Sequence, residues 1–273
     1  MLVVTPQGGL CNRLRVVLSA LHVLRSAPAA APLRICWRRA EECGARFEDL
    51  FEPLDTAQIH IGECPFYLRP VTRYNLHLPA LLRLTRFDCQ RKNFHASRED
   101  IFQLLCRRKQ STSKRNRLYI STCYPLTDYP ADISTALRLR PALQARVDRL
   151  ADRFDSRTIG LHIRRTDHRE SIRCSTDEAF FRAIDETVAR TPEANFFLAT
   201  DCADTKHRLL QRYGRRIFTH DAPLSRANRE GVEAATVDLF TLARTSRLYG
   251  SWYSSFTDMA AEIGGIEKHI ITQ

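Results

Sequence analysis

The sequence predicts an α/β protein of two halves, each built around a parallel sheet. Three observations carry this. From Thr158 to Ile263, short apolar strand patterns alternate with helical patterns of roughly ten to fifteen residues, which is the signature of strand–helix–strand units. The N-terminus opens the same way, with a strand, a glycine turn and an amphipathic helix. A chain of 273 residues with 44% hydrophobic content can fill one large core or two medium ones.

In order, Leu2–Thr5 reads as the first strand rather than as a signal peptide. The turn Pro6-Gln7-Gly8-Gly9 follows. A helix from Asn12 to Arg25 then keeps Leu14, Val17, Leu18, Leu21 and Leu24 on one face, with Asn12 as N-cap. Leu33–Trp37 and Ala57–Ile61 read as strands. The stretch from Arg69 to Arg117 shows no clear period. It reads as a short helix, Glu99–Leu105, between exposed loops, and it carries a basic run from Arg107 to Arg117. Leu118–Thr122 is a strand and Pro141–Phe154 an amphipathic helix. Asp155-Ser156 closes the first half, so the halves are 1–155 and 156–273.

The second half alternates without interruption. Strands Thr158–Ile163, Phe196–Ala199, Arg216–Thr219 and Arg247–Gly250 precede helices Asp177–Arg190, Asp204–Tyr213, Val232–Ala243 and Phe256–Ile263, respectively.

The net charge is +11, from 42 basic and 31 acidic side chains. Such a surface suits nucleic acid, an anionic membrane to which the protein is peripheral, or a phosphorylated substrate. No aromatic–basic recognition motif appears, so no specific nucleic acid is expected. The nine cysteines are scattered, with neither Cys-x-x-Cys pairs nor zinc spacing, and read as reduced thiols of a cytoplasmic protein. No metal site is expected, and no apolar run approaches the roughly 20 residues that span a bilayer.

Four stretches carry chemistry. Gly8-Gly9-Leu10-Cys11-Asn12-Arg13 joins a strand to a helix, where backbone amides and the helix N-terminus favour an anion. It lacks both the dinucleotide fingerprint and the P-loop pattern. His162-Ile163-Arg164-Arg165-Thr166-Asp167 places two guanidiniums at a strand's carboxyl end. One suits a diphosphate, and the other would pair with Asp167 to fix the loop. The competing reading is a salt-bridge cluster. Ala199-Thr200-Asp201 delivers a carboxylate for a guanine or ribose edge, or a helix N-cap. Gly250-Ser251-Trp252-Tyr253-Ser254-Ser255-Phe256 offers hydroxyls and amides at a helix start, or ordinary capping. Three strand ends of one sheet converging on polar residues describe a nucleotide pocket.

Together these motifs resemble a glycosyltransferase group that includes the bacterial nodulation fucosyltransferase, the α-1,6-fucosyltransferases and the protein O-fucosyltransferases. The match to their His-x-Arg-Arg-Thr-Asp motif, at His162 to Asp167, is the most specific. The resemblance implies a GT-B fold of two Rossmann-like domains facing across a cleft. The C-terminal domain would bind the donor and the N-terminal domain the acceptor. It implies metal-independent, inverting transfer of fucose from GDP-fucose to a glycan or polysaccharide hydroxyl, with no further cofactor. Arg164 would bind the β-phosphate, and His162 and Asp201 the guanosine. Ser254 and Ser255 would lie near the diphosphate. Gly8, Gly9, Asn12, Arg13, Arg165 and Phe256 complete the expected donor-binding set. Glu170 is the expected catalytic base; His168, Arg169 and Glu170 hold the places of the relatives' acceptor-activating Lys and Glu, with a spacing that departs from theirs. Cys202 replaces the second Asp of the relatives' Thr-Asp-Asp.

Overall fold

The computed structural model describes residues 1–25, 32–54, 58–63, 65, 68, 81, 87, 89–97, 99–101, 103, 117–166, 169–223 and 225–273. The chain forms two compact units. One comprises Met1–Arg140 with Arg226–Val232, the other Pro141–Ser225 with Glu233–Gln273.

The first unit holds a five-stranded parallel sheet. Its strands are β1 (Leu2–Pro6), β2 (Leu33–Cys36), β3 (Ile59–Gly62), β4 (Cys89–Lys92) and β5 (Leu118–Thr122). They lie in the order β3-β2-β1-β5-β4. β1 pairs Leu2 with Leu33 on one side and with Leu118 on the other. Every residue of β1 and β5 is buried, as continuous apolar strands in the middle of a parallel sheet should be. Helix α1 (Leu10–Arg25) buries Leu14, Val17, Leu18 and Leu21, and the short helix α2 spans Phe47–Leu50. α1 starts two residues before Asn12, so Asn12 lies in its first turn and does not cap it.

β4 falls in the region the sequence assigned to loops. It is the polar segment Cys-Gln-Arg-Lys at the sheet edge, with only Cys89 buried, so it carries no apolar alternation to read. Of the expected helix Glu99–Leu105, residues 99–101 and 103 are helical. The rest of it, and the basic run up to residue 116, lie outside the described residues.

The second unit holds β6 (Thr158–Ile163), β7 (Asn195–Thr200), β8 (Ile217–Thr219), β9 (Arg247–Ser251) and β10 (Lys268–Ile271), also all parallel, in the order β10-β9-β6-β7-β8. Its helices are α3 (Pro141–Ala151), α4 (Arg169–Cys174), α5 (Asp177–Arg190), α6 (Ala203–Tyr213), α7 (Arg229–Leu242, whose residues up to Val232 belong to the first unit) and α8 (Ser255–Gly264). Ile159, Leu161 and Ile163 of β6 face one core, with Phe180 and Ile184 of α5, Phe196 and Leu198 of β7, and Leu209 of α6. Gly160 and His162 face the other side.

The division falls at 140/141, before α3, where the sequence placed it after that helix. The partners of α3 explain the difference. Arg146 meets His220 at 3.3 Å, Asp148 pairs with Arg244 at 3.5 Å, and Phe154, just past α3, packs its ring on Phe197. The segment 226–232 belongs to the first unit. There Gly44 N–H donates to the Arg226 carbonyl, and Arg229 pairs with Asp49 at 3.3 Å.

Candidate functional site

In the second unit, successive strands run outward from β6 in one direction through β7 and β8. They then restart on its other side with β9 and β10. The order therefore reverses between β6 and β9, and ligands of open α/β sheets bind beyond the carboxyl ends of strands at such a point. β6 ends at Ile163 and runs into Arg164, Arg165 and Thr166. β9 ends at Ser251 and runs into Trp252–Ser255.

Buried Ser251 joins the two ends. Its hydroxyl accepts from the Arg164 N–H at 3.0 Å and donates to the His162 carbonyl at 3.3 Å. One side chain thus replaces the ladder bonds lost where the strands diverge. Asp201, just past β7, holds the same loop from the opposite side. It accepts from the Arg165 N–H at 2.7 Å and from the Thr166 hydroxyl at 2.6 Å. Its carboxylate organises the 164–166 loop, and the N-cap of α6 is Cys202.

The two arginines differ. Arg165 turns into the body of the unit. Its side chain is 10% exposed, its Nε donates to Asp177 at 2.7 Å, and its Nη1 donates to the Arg164 carbonyl. A guanidinium so paired with a buried carboxylate fixes the start of the loop to α5. The expected loop partner, Asp167, lies outside the described residues, as does His168. Arg164 is half-buried at the strand end, with its backbone fixed on both sides.

His162 is 8% exposed. Its Nδ1 lies 2.8 Å from the Thr257 hydroxyl and 3.5 Å from that of Ser254, and its ring stacks on Phe256 at 4.6 Å. Ser254 is the N-cap residue of α8, yet its hydroxyl makes no capping hydrogen bond. The amides opening α8, from Ser255 onward, are the orphan donors of a helix start, which favour an anion. Gly250 makes this packing possible. A Cβ there would lie 2.1 Å from Thr257 Cγ2. Gly250→Ala is expected to push α8 off β9, to disturb the Thr257–His162 bond and to cost about 1–3 kcal/mol, read as a lower urea midpoint with an unchanged slope.

Glu170 sits on the exposed helix α4 and accepts from Arg173 Nη2 at 2.7 Å.

In the first unit, Gly8 has φ +82° and would place a Cβ 3.1 Å from the Asn12 side chain. The close turn therefore requires glycine. Gly9 follows, and its carbonyl accepts from Arg13 N–H at 3.1 Å. Arg13 is 1% exposed. Its Nε donates to the Gly8 carbonyl at 2.6 Å, its Nη1 donates to the Arg38 carbonyl, and its guanidinium lies 5.4 Å from the Trp37 ring centroid. Arg13 therefore ties the glycine turn to the 37–46 loop. Beside it, burial pushes the Cys43 thiol pKa up, with Arg13 partly opposing the shift.

Sequence reasoning missed Asp177 and Thr257. Asp177 announces itself only as an acid in the first turn of α5. Thr257 lies one residue past the quoted motif. Among the described residues, no group of three or more His, Cys, Asp and Glu is placed to hold a metal, and no helix is long and apolar enough to cross a membrane.

No protein-family model matches the sequence, and no curated protein matches it significantly. Solved structures do. NodZ α-1,6-fucosyltransferase soaked with GDP-fucose superposes with a TM-score of 0.59 at 20% identity, covering 96% of this chain and 92% of that one. NodZ from Bradyrhizobium gives 0.58 at 20% identity, covering 95% and 91%. A mutant of Arabidopsis thaliana FUT1 in complex with GDP gives 0.59 at 12% identity, covering 98% and 69%. POFUT1 in complex with GDP-fucose gives 0.55 at 12% identity, covering 98% and 96%. With its two parallel-sheet α/β units, the chain has the GT-B fold of these fucosyltransferases.

Proposed function

We propose that the protein is an inverting, metal-independent glycosyltransferase that moves fucose from GDP-fucose to a hydroxyl of a glycan. The observation that carries this reading is the fixed loop at the reversal point of the second sheet. Ser251 and Asp201 clamp Arg164–Thr166 from two sides, beside the uncapped start of α8. This is a preorganised anion site. Breaking the sugar–phosphate bond leaves negative charge on the diphosphate, and a fixed guanidinium stabilises that charge more in the transition state than in the ground state.

Arg164 takes the leaving diphosphate, with the opening amides of α8. His162, Ser254 and Phe256 set the position of α8 against β6. Asp201 acts as a positioning residue. Glu170 is the candidate base. The structures that share this fold include complexes with GDP and with GDP-fucose, which supports the choice of nucleotide. The cysteine pattern supports a cytoplasmic location.

The test is a thermal-shift panel of GDP, GDP-fucose, GDP-mannose, UDP and TDP in EDTA. A ligand that binds only the folded state raises Tm. Stabilisation by GDP and GDP-fucose is expected. A larger shift with UDP or TDP would remove the fucose assignment. Silence from all five, with RNA binding that persists at moderate salt, would favour a nucleic-acid role.

A further inference from the structure

We infer that Trp252 and Tyr253 form a stacking step for a pyranose ring, the acceptor sugar of the reaction proposed above. The inference rests on that reading for the word acceptor, but not for the sugar.

The two rings follow β9 directly. Their centroids are 5.2 Å apart with planes 31° from parallel, and the residues are 37% and 66% exposed. Large aromatics so exposed contribute little to the core. Tyr253 has φ +51°, in the left-handed region that bulky residues avoid. Such conformations persist where the surroundings impose them, and they collect at ligand sites. Here the surroundings can be named. The Trp252 N–H donates to the hydroxyl of buried Ser175 at 2.8 Å, and that hydroxyl donates to the Ile271 carbonyl at 2.5 Å. On the other side, Ser254 is buried, with its hydroxyl 3.5 Å from His162 Nδ1. The turn is thus pinned at both ends and aims two rings outward, one residue from the start of α8.

The chemistry of the turn favours sugar over lipid. Its sequence is Ser251-Trp252-Tyr253-Ser254-Ser255, with no basic residue in the turn. A pyranose presents an apolar C–H face to an aromatic ring and hydroxyls to its rim, whereas a bilayer surface selects basic residues around an aromatic wedge. The position fits a ring that lies just beyond a diphosphate held at Arg164 and α8.

Intrinsic fluorescence of the whole chain tests this. The sequence has two tryptophans, and the other, Trp37, is 1% exposed. A ligand-dependent emission change that disappears in Trp252→Phe therefore reports Trp252. The probes are β-linked glucose, α-linked glucose and β-linked N-acetylglucosamine tetrasaccharides, up to about 10 mM, which reaches the range of weak binding. Saturable change with at least one probe is expected, weakened about tenfold or more in Tyr253→Ala. Tyr253→Gly removes the backbone strain and should melt at or above the wild-type temperature while still losing the sugar. The GDP-induced Tm shift should persist in all three variants.

The inference is overturned by a flat response to every probe, by a response that survives Tyr253→Ala and Tyr253→Gly, or by vesicle binding that these variants abolish while sugar binding is absent. A GDP shift without a sugar response sinks this inference alone. A sugar response without any GDP shift sinks the transferase reading and leaves the stacking step standing.

Discussion

Arg164→Ala is expected to lower kcat/KM for fucosyl transfer about 100- to 1,000-fold, the cost of losing one preorganised donor to a developing charge. Folding should survive. The interactions that fix residue 164 use its backbone, since its N–H meets Ser251 and its carbonyl meets Arg165. Alanine keeps both. A half-buried strand-end side chain should shift Tm by only about 2 °C, the usual size for substitutions outside the core of a chain this long. Arg164→Lys keeps the charge but loses the planar fork, so its activity should fall between the two. Kinetics with GDP-fucose and a sugar acceptor, together with calorimetry, check both halves of the expectation. A fully active Arg164→Ala enzyme would remove Arg164 from the reaction and the proposed mechanism with it.

The contrast between Arg164 and Arg165 marks where the sequence stops being informative. Two arginines after Ile159, Leu161 and Ile163 identify a strand end that carries charge. Nothing in that local pattern distinguishes a guanidinium facing a ligand from one facing Asp177, because Asp177 lies on the next long helix and meets Arg165 only through the fold. Asp201 is a similar case. A carboxylate just past β7 can be seen from the pattern, but its engagement of the Arg165 amide and the Thr166 hydroxyl depends on β6 and β7 being neighbours.

The central strands were legible because burial on both faces makes them apolar throughout. β4 and β10 were not. Edge strands bury little, and Cys-Gln-Arg-Lys and Lys-His-Ile-Ile carry no alternation that separates them from loops. Gly250 could be seen as a strand-end glycine. Its reason, the Thr257 side chain it admits, belongs to α8 and could not.

Arg13 carries the largest expected stability effect. Arg13→Met keeps the length and apolar stem of the side chain and removes the guanidinium. The carbonyls of Gly8 and Arg38 then lose their donor in a site that is 1% exposed. Each abandoned acceptor costs about 1–3 kcal/mol, and the lost contact with Trp37 about 0.5–2 kcal/mol more. Relief of the buried charge offsets part of this. A net loss of about 3 kcal/mol is expected, read from the urea midpoint. The damage should be local to the glycine turn and the 37–46 loop. Cys36 and Cys43, both buried, should therefore react faster with a thiol reagent under native conditions. GDP should still stabilise the folded variant, because Arg164, Ser251, Asp201 and the start of α8 all lie in the other unit. This separates the two arginine motifs experimentally: loss of Arg164 should silence the chemistry in a stable protein, and loss of Arg13 should loosen a protein that still binds its nucleotide. A stable Arg13→Met protein that no longer responds to GDP would reverse the second assignment, making Arg13 a ligand residue rather than a tie.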